Sequence, residues 1–133
     1  MLFIYLLERN PIYVERVKHL IREIDRRGHT LCTSVFTEGE VLCGFYKRAA
    51  IEAVAEVRRW LRAPAVELLP FTGATADRYA RIRAEHEVSP AGAIHLASAA
   101  EAGVRLFITN DRKLTRLNID QIDFIAGIDV NLY

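Results

Sequence analysis

Thr109, Asn110 and Asp111 place a hydroxyl, an amide and a carboxylate in a row, directly after the apolar run Leu106-Phe107-Ile108. Such a run reads as a strand, and in open parallel sheets ligands gather outside the carboxyl ends of the strands. The tip therefore marks a functional edge, and Asp111 offers it a carboxylate ligand. The competing role for Asp111 is the N-cap of a short helix through Lys113 and Leu114. Glu40 is the second candidate, about one helical turn beyond a β-prone run at residues 30–35, and so able to lie near the same sheet edge. It can equally close a capping box, Thr37-Glu38-Gly39-Glu40, by reaching back to a free backbone donor. Glu38, two residues away, points to roughly the opposite side of a helix and is a poor second ligand for the same ion. His95 sits among Ala93, Ile94, Leu96 and Ala97, a setting that suits a hydrogen-bonded core or rim histidine better than a catalyst. Arg112, Lys113 and Arg116 crowd behind Asp111, where they can hold a phosphate backbone or simply form a solvated helix face. The sequence has no Gly-rich phosphate loop, nucleophile elbow or zinc-ligand spacing.

These groups need elements to position them. Asn10-Pro11 reads as N-cap and first helical residue, and Val14, Val17, Leu20, Ile21 and Ile24 follow at helical spacing until Gly28. A strand at residues 30–35 leads into a helix at about 36–47. A third helix carries Ile51, Val54, Val57, Trp60 and Leu61 on one side, and Pro64 breaks it. Val66–Leu69 is β-prone, and Thr72 caps a helix bearing Ala76, Tyr79, Ala80 and Ile82. Ser89-Pro90 opens a helix over residues 91–102 that Gly103 ends. Residues 104–108 form the clearest strand and 122–125 a weaker one. Helices alternating with short apolar strands predict a parallel sheet covered on both faces, with Ala93, Ala97, Ala99 and Ala100 letting one helix pack close to it.

At 133 residues, 51% hydrophobic and 26% charged, the chain has the composition of one globular domain spanning residues 1–133. A net charge of +1 gives no global attraction to nucleic acid or to an anionic membrane, so any such contact must come from a local basic cluster. Cys32 and Cys43 fit no metal or redox spacing and read as buried free thiols in a reducing cytoplasm. The opening run Met1-Leu2-Phe3-Ile4-Tyr5-Leu6-Leu7 is too short to span a bilayer and lacks the layout of a signal peptide. By length it can be a buried strand or the first turns of a helix.

Taken in order, the segments MLFIYLLE (1–8), TSVFTEGEVLCG (33–44), SPAGAIHLASA (89–99) and LFITNDRKL (106–114) resemble the PIN-domain family, especially its VapC-like ribonuclease toxins of toxin–antitoxin pairs. The resemblance covers essentially the whole chain. It implies a three-layer α/β/α fold with a parallel sheet, and an acidic cluster at the strand ends that holds Mg²⁺ or Mn²⁺. Clustered carboxylates repel one another, a divalent ion relieves that repulsion, and the ion then activates water against a phosphodiester. By position, Glu40 matches the acid on the helix after the second family strand. Asp111 matches the acid of the Thr-x-Asp tip, with Thr109 and Asn110 in support.

Two further acids of the family pattern are not supplied. The first ends the family's central strand in an Asp-Thr or Asp-Ser pair, which the resemblance places upstream of Met1. The third opens the helix matched by 91–102, and here that position is Gly92. Two carboxylates hold Mg²⁺ only weakly, with substrate phosphates completing its shell. Half a cluster is expected to lose orders of magnitude in rate. The resemblance further implies a homodimer, an RNA substrate and an antitoxin-like protein covering the site. The alternatives are a non-catalytic PIN-like module that binds RNA or an antitoxin-type partner, and a plain α/β scaffold in which Glu40 and Asp111 serve only as caps.

Overall fold

The computed structural model describes residues 14–128 and divides the chain into two compact units, Met1–Leu68 and Leu69–Tyr133. The opening apolar run and the Asn10-Pro11 cap lie outside the described residues.

In the first unit, helix α1 (Val14–Arg26) buries Val17 and Ile24, two turns apart on one face. Its chain reversal uses Gly28 at φ +71°, a left-handed conformation that costs a glycine little. Strand β1 (Leu31–Ser34) pairs with β2 (Val66–Leu69). Helix α2 (Val35–Lys47) starts one residue earlier than expected because Ser34 caps it, accepting the Thr37 N–H on its hydroxyl. Helix α3 (Ile51–Leu61) presents Val54, Val57 and Leu61, and these form a core with Val41, Leu42 and Val66.

Glu38 lies at the edge of this core, 7% exposed. Arg62 grips it with a fork of two hydrogen bonds, 3.1 and 3.2 Å, and Arg58 stands 3.8 Å away. A buried carboxylate is tolerated only when paired in this way. Arg62→Ala is therefore expected to cost about 1–3 kcal/mol, because it leaves Glu38 with one distant cation. The Arg62→Ala/Glu38→Leu pair is expected to recover most of that loss. Urea denaturation of the three variants checks both statements.

In the second unit, helix α4 (Gly73–Glu85) begins with a reciprocal capping box between Thr72 and Thr75. Helix α5 (Pro90–Glu101) is capped by Ser89. Ala93, Leu96, Ala97, Ala99 and Ala100 of α5 are all buried, in one cluster with Ile82, Leu114, Ile119 and Ile122. Phe107 and Ile125 pack against that cluster, so the narrow alanine face does lie on strands. Strand β3 (Leu106–Thr109) pairs in parallel with β4 (Phe124–Gly127), with Thr109 opposite Gly127. The chain is thus α/β, with five described helices and a parallel strand pair.

Three expectations shift. The clear strand runs over Leu106–Thr109 and not 104–108, because the Val104 N–H bonds back to Ala99 O and belongs to the exit from α5. The weaker strand is Phe124–Gly127 and not 122–125, since Ile122 is spent in the core before the strand begins. The two thiols also differ. Cys43 is exposed, contrary to expectation, while Cys32 is partly buried. Burial, helped by the charge of Glu67, holds the Cys32 thiol above its usual range. No helix among the described residues is long and apolar enough to cross a membrane.

Candidate functional site

Thr109 ends β3 as a buried residue, 5% exposed. Its hydroxyl oxygen accepts the Asp111 N–H at 3.0 Å, and its carbonyl accepts the Ile128 N–H at 3.0 Å. Strand pairing and side chain together therefore fix where the chain leaves the sheet. Asp111 then folds the backbone into a knuckle. Its Oδ1 accepts the Lys113 N–H at 3.0 Å, and its carbonyl accepts the Leu114 N–H at 3.0 Å. A 3₁₀ turn, Leu114–Arg116, follows, and the Thr115 hydroxyl donates to Arg112 O at 2.7 Å.

The cap and ligand roles of Asp111 are thus compatible. One carboxylate oxygen orders the turn, as aspartate does in Asx turns, while the group as a whole stays exposed. The 3₁₀ turn itself has no side-chain cap. Asn110 is half-buried, and Arg112, Lys113 and Arg116 are exposed, so three solvated cations follow the carboxylate along the chain.

Gly92 is the third residue of α5, and its N–H donates to Ser89 Oγ at 3.1 Å. The Asp111 knuckle borders it through Leu114: a Cβ built on Gly92 would stand 3.6 Å from that residue's Cδ2. The position singled out at the start of α5 and the tip of β3 are therefore neighbours within the second unit. Nothing in the local sequence signals this, because Leu114 reads only as an apolar residue of a short turn.

Glu40 belongs to the first unit, as the sixth residue of α2, half-buried. The capping box suggested for Thr37 and Glu40 does not form. Ser34 takes the cap, and Thr37 is a buried residue whose hydroxyl accepts from Thr33 Oγ1 at 2.8 Å. Glu40 is a mid-helix carboxylate, five residues past the start of α2. Glu38, set aside as a ligand, is committed to Arg58 of α3 and Arg62 just beyond it. His95 is half-buried on α5 between Ile94 and buried Leu96.

The donor chemistry decides what such a site can hold. A resident divalent ion needs several oxygen ligands converging on it. Among the described residues, no group of three or more His, Cys, Asp or Glu side chains gathers, and position 92 brings no donor atom. The side chains present do not fit a resident metal centre. They fit an exposed carboxylate at a strand tip, followed in sequence by cations suited to phosphate.

The family model described as PIN domain matches residues 2–120. No curated protein and no solved structure matches the chain.

Proposed function

Since the chain belongs to the PIN-domain family of nucleases, which includes toxin ribonucleases, we propose that it is a toxin-type endoribonuclease whose catalysis is weakened or lost. The family generally acts on RNA and is typically dependent on divalent metal ions. In this reading residues 1–133 form one PIN-like domain of the VapC-like kind, acting in the cytoplasm as a homodimer and paired with an antitoxin-like protein. Asp111 and Glu40 are the metal-facing carboxylates that remain, with Thr109 and Asn110 in support. Arg112, Lys113 and Arg116 hold the RNA backbone. Mg²⁺ or Mn²⁺ binds weakly, chiefly in company with the substrate's phosphates.

The observation that carries this reading is the Asp111 knuckle. A buried threonine anchors it to a parallel strand, one carboxylate is presented to solvent, and three exposed cations follow in the next five residues. Gly92, beside that knuckle, argues for the loss of rate. The test is RNA cleavage by the full chain with Mg²⁺ or Mn²⁺, beside a PIN-domain ribonuclease that has its complete acidic set. The chain is expected to bind RNA in a salt-sensitive way and to cleave it slower by about 100-fold or more. Equal turnover would overturn the proposal. Gly92 also favours a second reading, a non-catalytic module that binds RNA or an antitoxin-type partner. That reading predicts binding with no cleavage at any metal concentration.

A further inference from the structure

A glycine within a helix costs stability relative to alanine, most in the interior, so its presence asks for a reason. Gly39 in α2 has none in its surroundings, for a Cβ built there meets nothing within 4 Å. Gly92 is different. A Cβ there would stand 3.0 Å from Val88 Cγ2 and 3.2 Å from Ser89 Oγ, both closer than carbon or oxygen normally approaches a Cβ. The two neighbours differ in how far they can retreat. Val88 is β-branched, stiff about χ1, and packed against the α5 core cluster. Ser89 is exposed, and its Oγ caps the Gly92 N–H in the same way that Ser34 and Thr72 cap threonines, so it leaves room for a side chain.

We infer that Val88 closes position 92 to a carboxylate, so that the missing acid is more than one replacement away from being restored. The metal part of this inference rests on the reading of Asp111 given above, while the packing part does not. Position 92 borders the Asp111 knuckle through Leu114, and the first carbon of any side chain there would press on Val88 Cγ2. Val88 is thus a positioning residue. It decides whether this end of the site can carry a second acid, and it does so without touching a ligand.

Two sets of melts and one titration test this. Gly39→Ala, the unobstructed control, is expected to raise the melting temperature by about 2–6 °C. Gly92→Ala is expected to lower it by about 2 °C or more, and to raise it instead when made in a Val88→Ala background, a coupling that a double-mutant cycle isolates. Titration with Mn²⁺ alone then compares the wild type, Gly92→Asp and Gly92→Asp/Val88→Ala. Only the pair is expected to bind Mn²⁺ more tightly than wild type, by about tenfold. If Gly92→Ala stabilises as Gly39→Ala does, or if Gly92→Asp alone binds Mn²⁺ as tightly as the pair, the closure is overturned. If the melts show the coupling but the pair gains no Mn²⁺ affinity, the closure stands and the metal role of Asp111 falls.

Discussion

Asp111→Asn is expected to cut metal-dependent RNA cleavage by about 100-fold or more while leaving the melting temperature nearly unchanged. The two outcomes separate because the replacement keeps one property of the side chain and removes another. Asparagine retains an Oδ1 that can accept the Lys113 N–H, and Thr109 still accepts the residue 111 N–H, so the knuckle survives. The negative charge disappears, and charge is what a site acting on a phosphodiester through a divalent ion uses. Exposure of the residue means that no cavity or buried orphan results. Asp111→Ala, which also removes the acceptor, is expected to cost about 1 kcal/mol on top of the same loss of rate. With the protein in excess over RNA even slow cleavage becomes measurable. Unchanged cleavage by Asp111→Asn would reduce Asp111 to a turn residue.

Leu96→Ala is expected to destabilise the chain by about 2–5 kcal/mol, read as a shift in denaturant midpoint. Leu96 is fully buried and is, with Leu61, the largest side chain with no exposure among the described residues. Its neighbours along α5 are alanines, which have no length to collapse into the space left behind. Phe124→Ala on β4 is the contrast: with 70% exposure it removes little from the core and is expected to change stability by less than about 0.5 kcal/mol. A loss of under 1 kcal/mol at Leu96 would mean that the α4 and α5 cluster repacks freely.

Much of the architecture is legible along the chain because its signals are local. Ser89-Pro90 opens α5, Thr72 caps α4, and Gly28 and Gly103 sit at positive φ, as helix-ending glycines should. Periodicity cannot tell an apolar residue of a strand from one that a loop spends on the core, which is why Ile122 drew the last strand two residues too early. Local pattern also misplaced a cap: Thr37 to Glu40 has the spacing of a capping box, yet Ser34 reached the free donors first. At the candidate site, Asp111 and its supporting Thr109 are visible from the strand tip alone. The clamp on Glu38 is not, since Arg58 and Arg62 lie 20 and 24 residues away along the chain. The crowding at Gly92 is equally invisible. A glycine in a sequence shows that a side chain is absent, and only packing shows whether one would fit.

The closures at the two ends of α5 carry a further meaning. The Ser89 hydroxyl accepts the Gly92 N–H at its start, while Gly103 and Val104 return their N–H groups to Ala100 and Ala99 at its end. With its inner face buried as well, the helix belongs at the slow end of amide hydrogen exchange, among segments that open only when their unit unfolds. The Asp111 knuckle, exposed and held by a few short-range bonds, belongs at the fast end. In the proposed reading, adjustment to an RNA strand therefore falls to the knuckle, beside a helix that opens only with its unit.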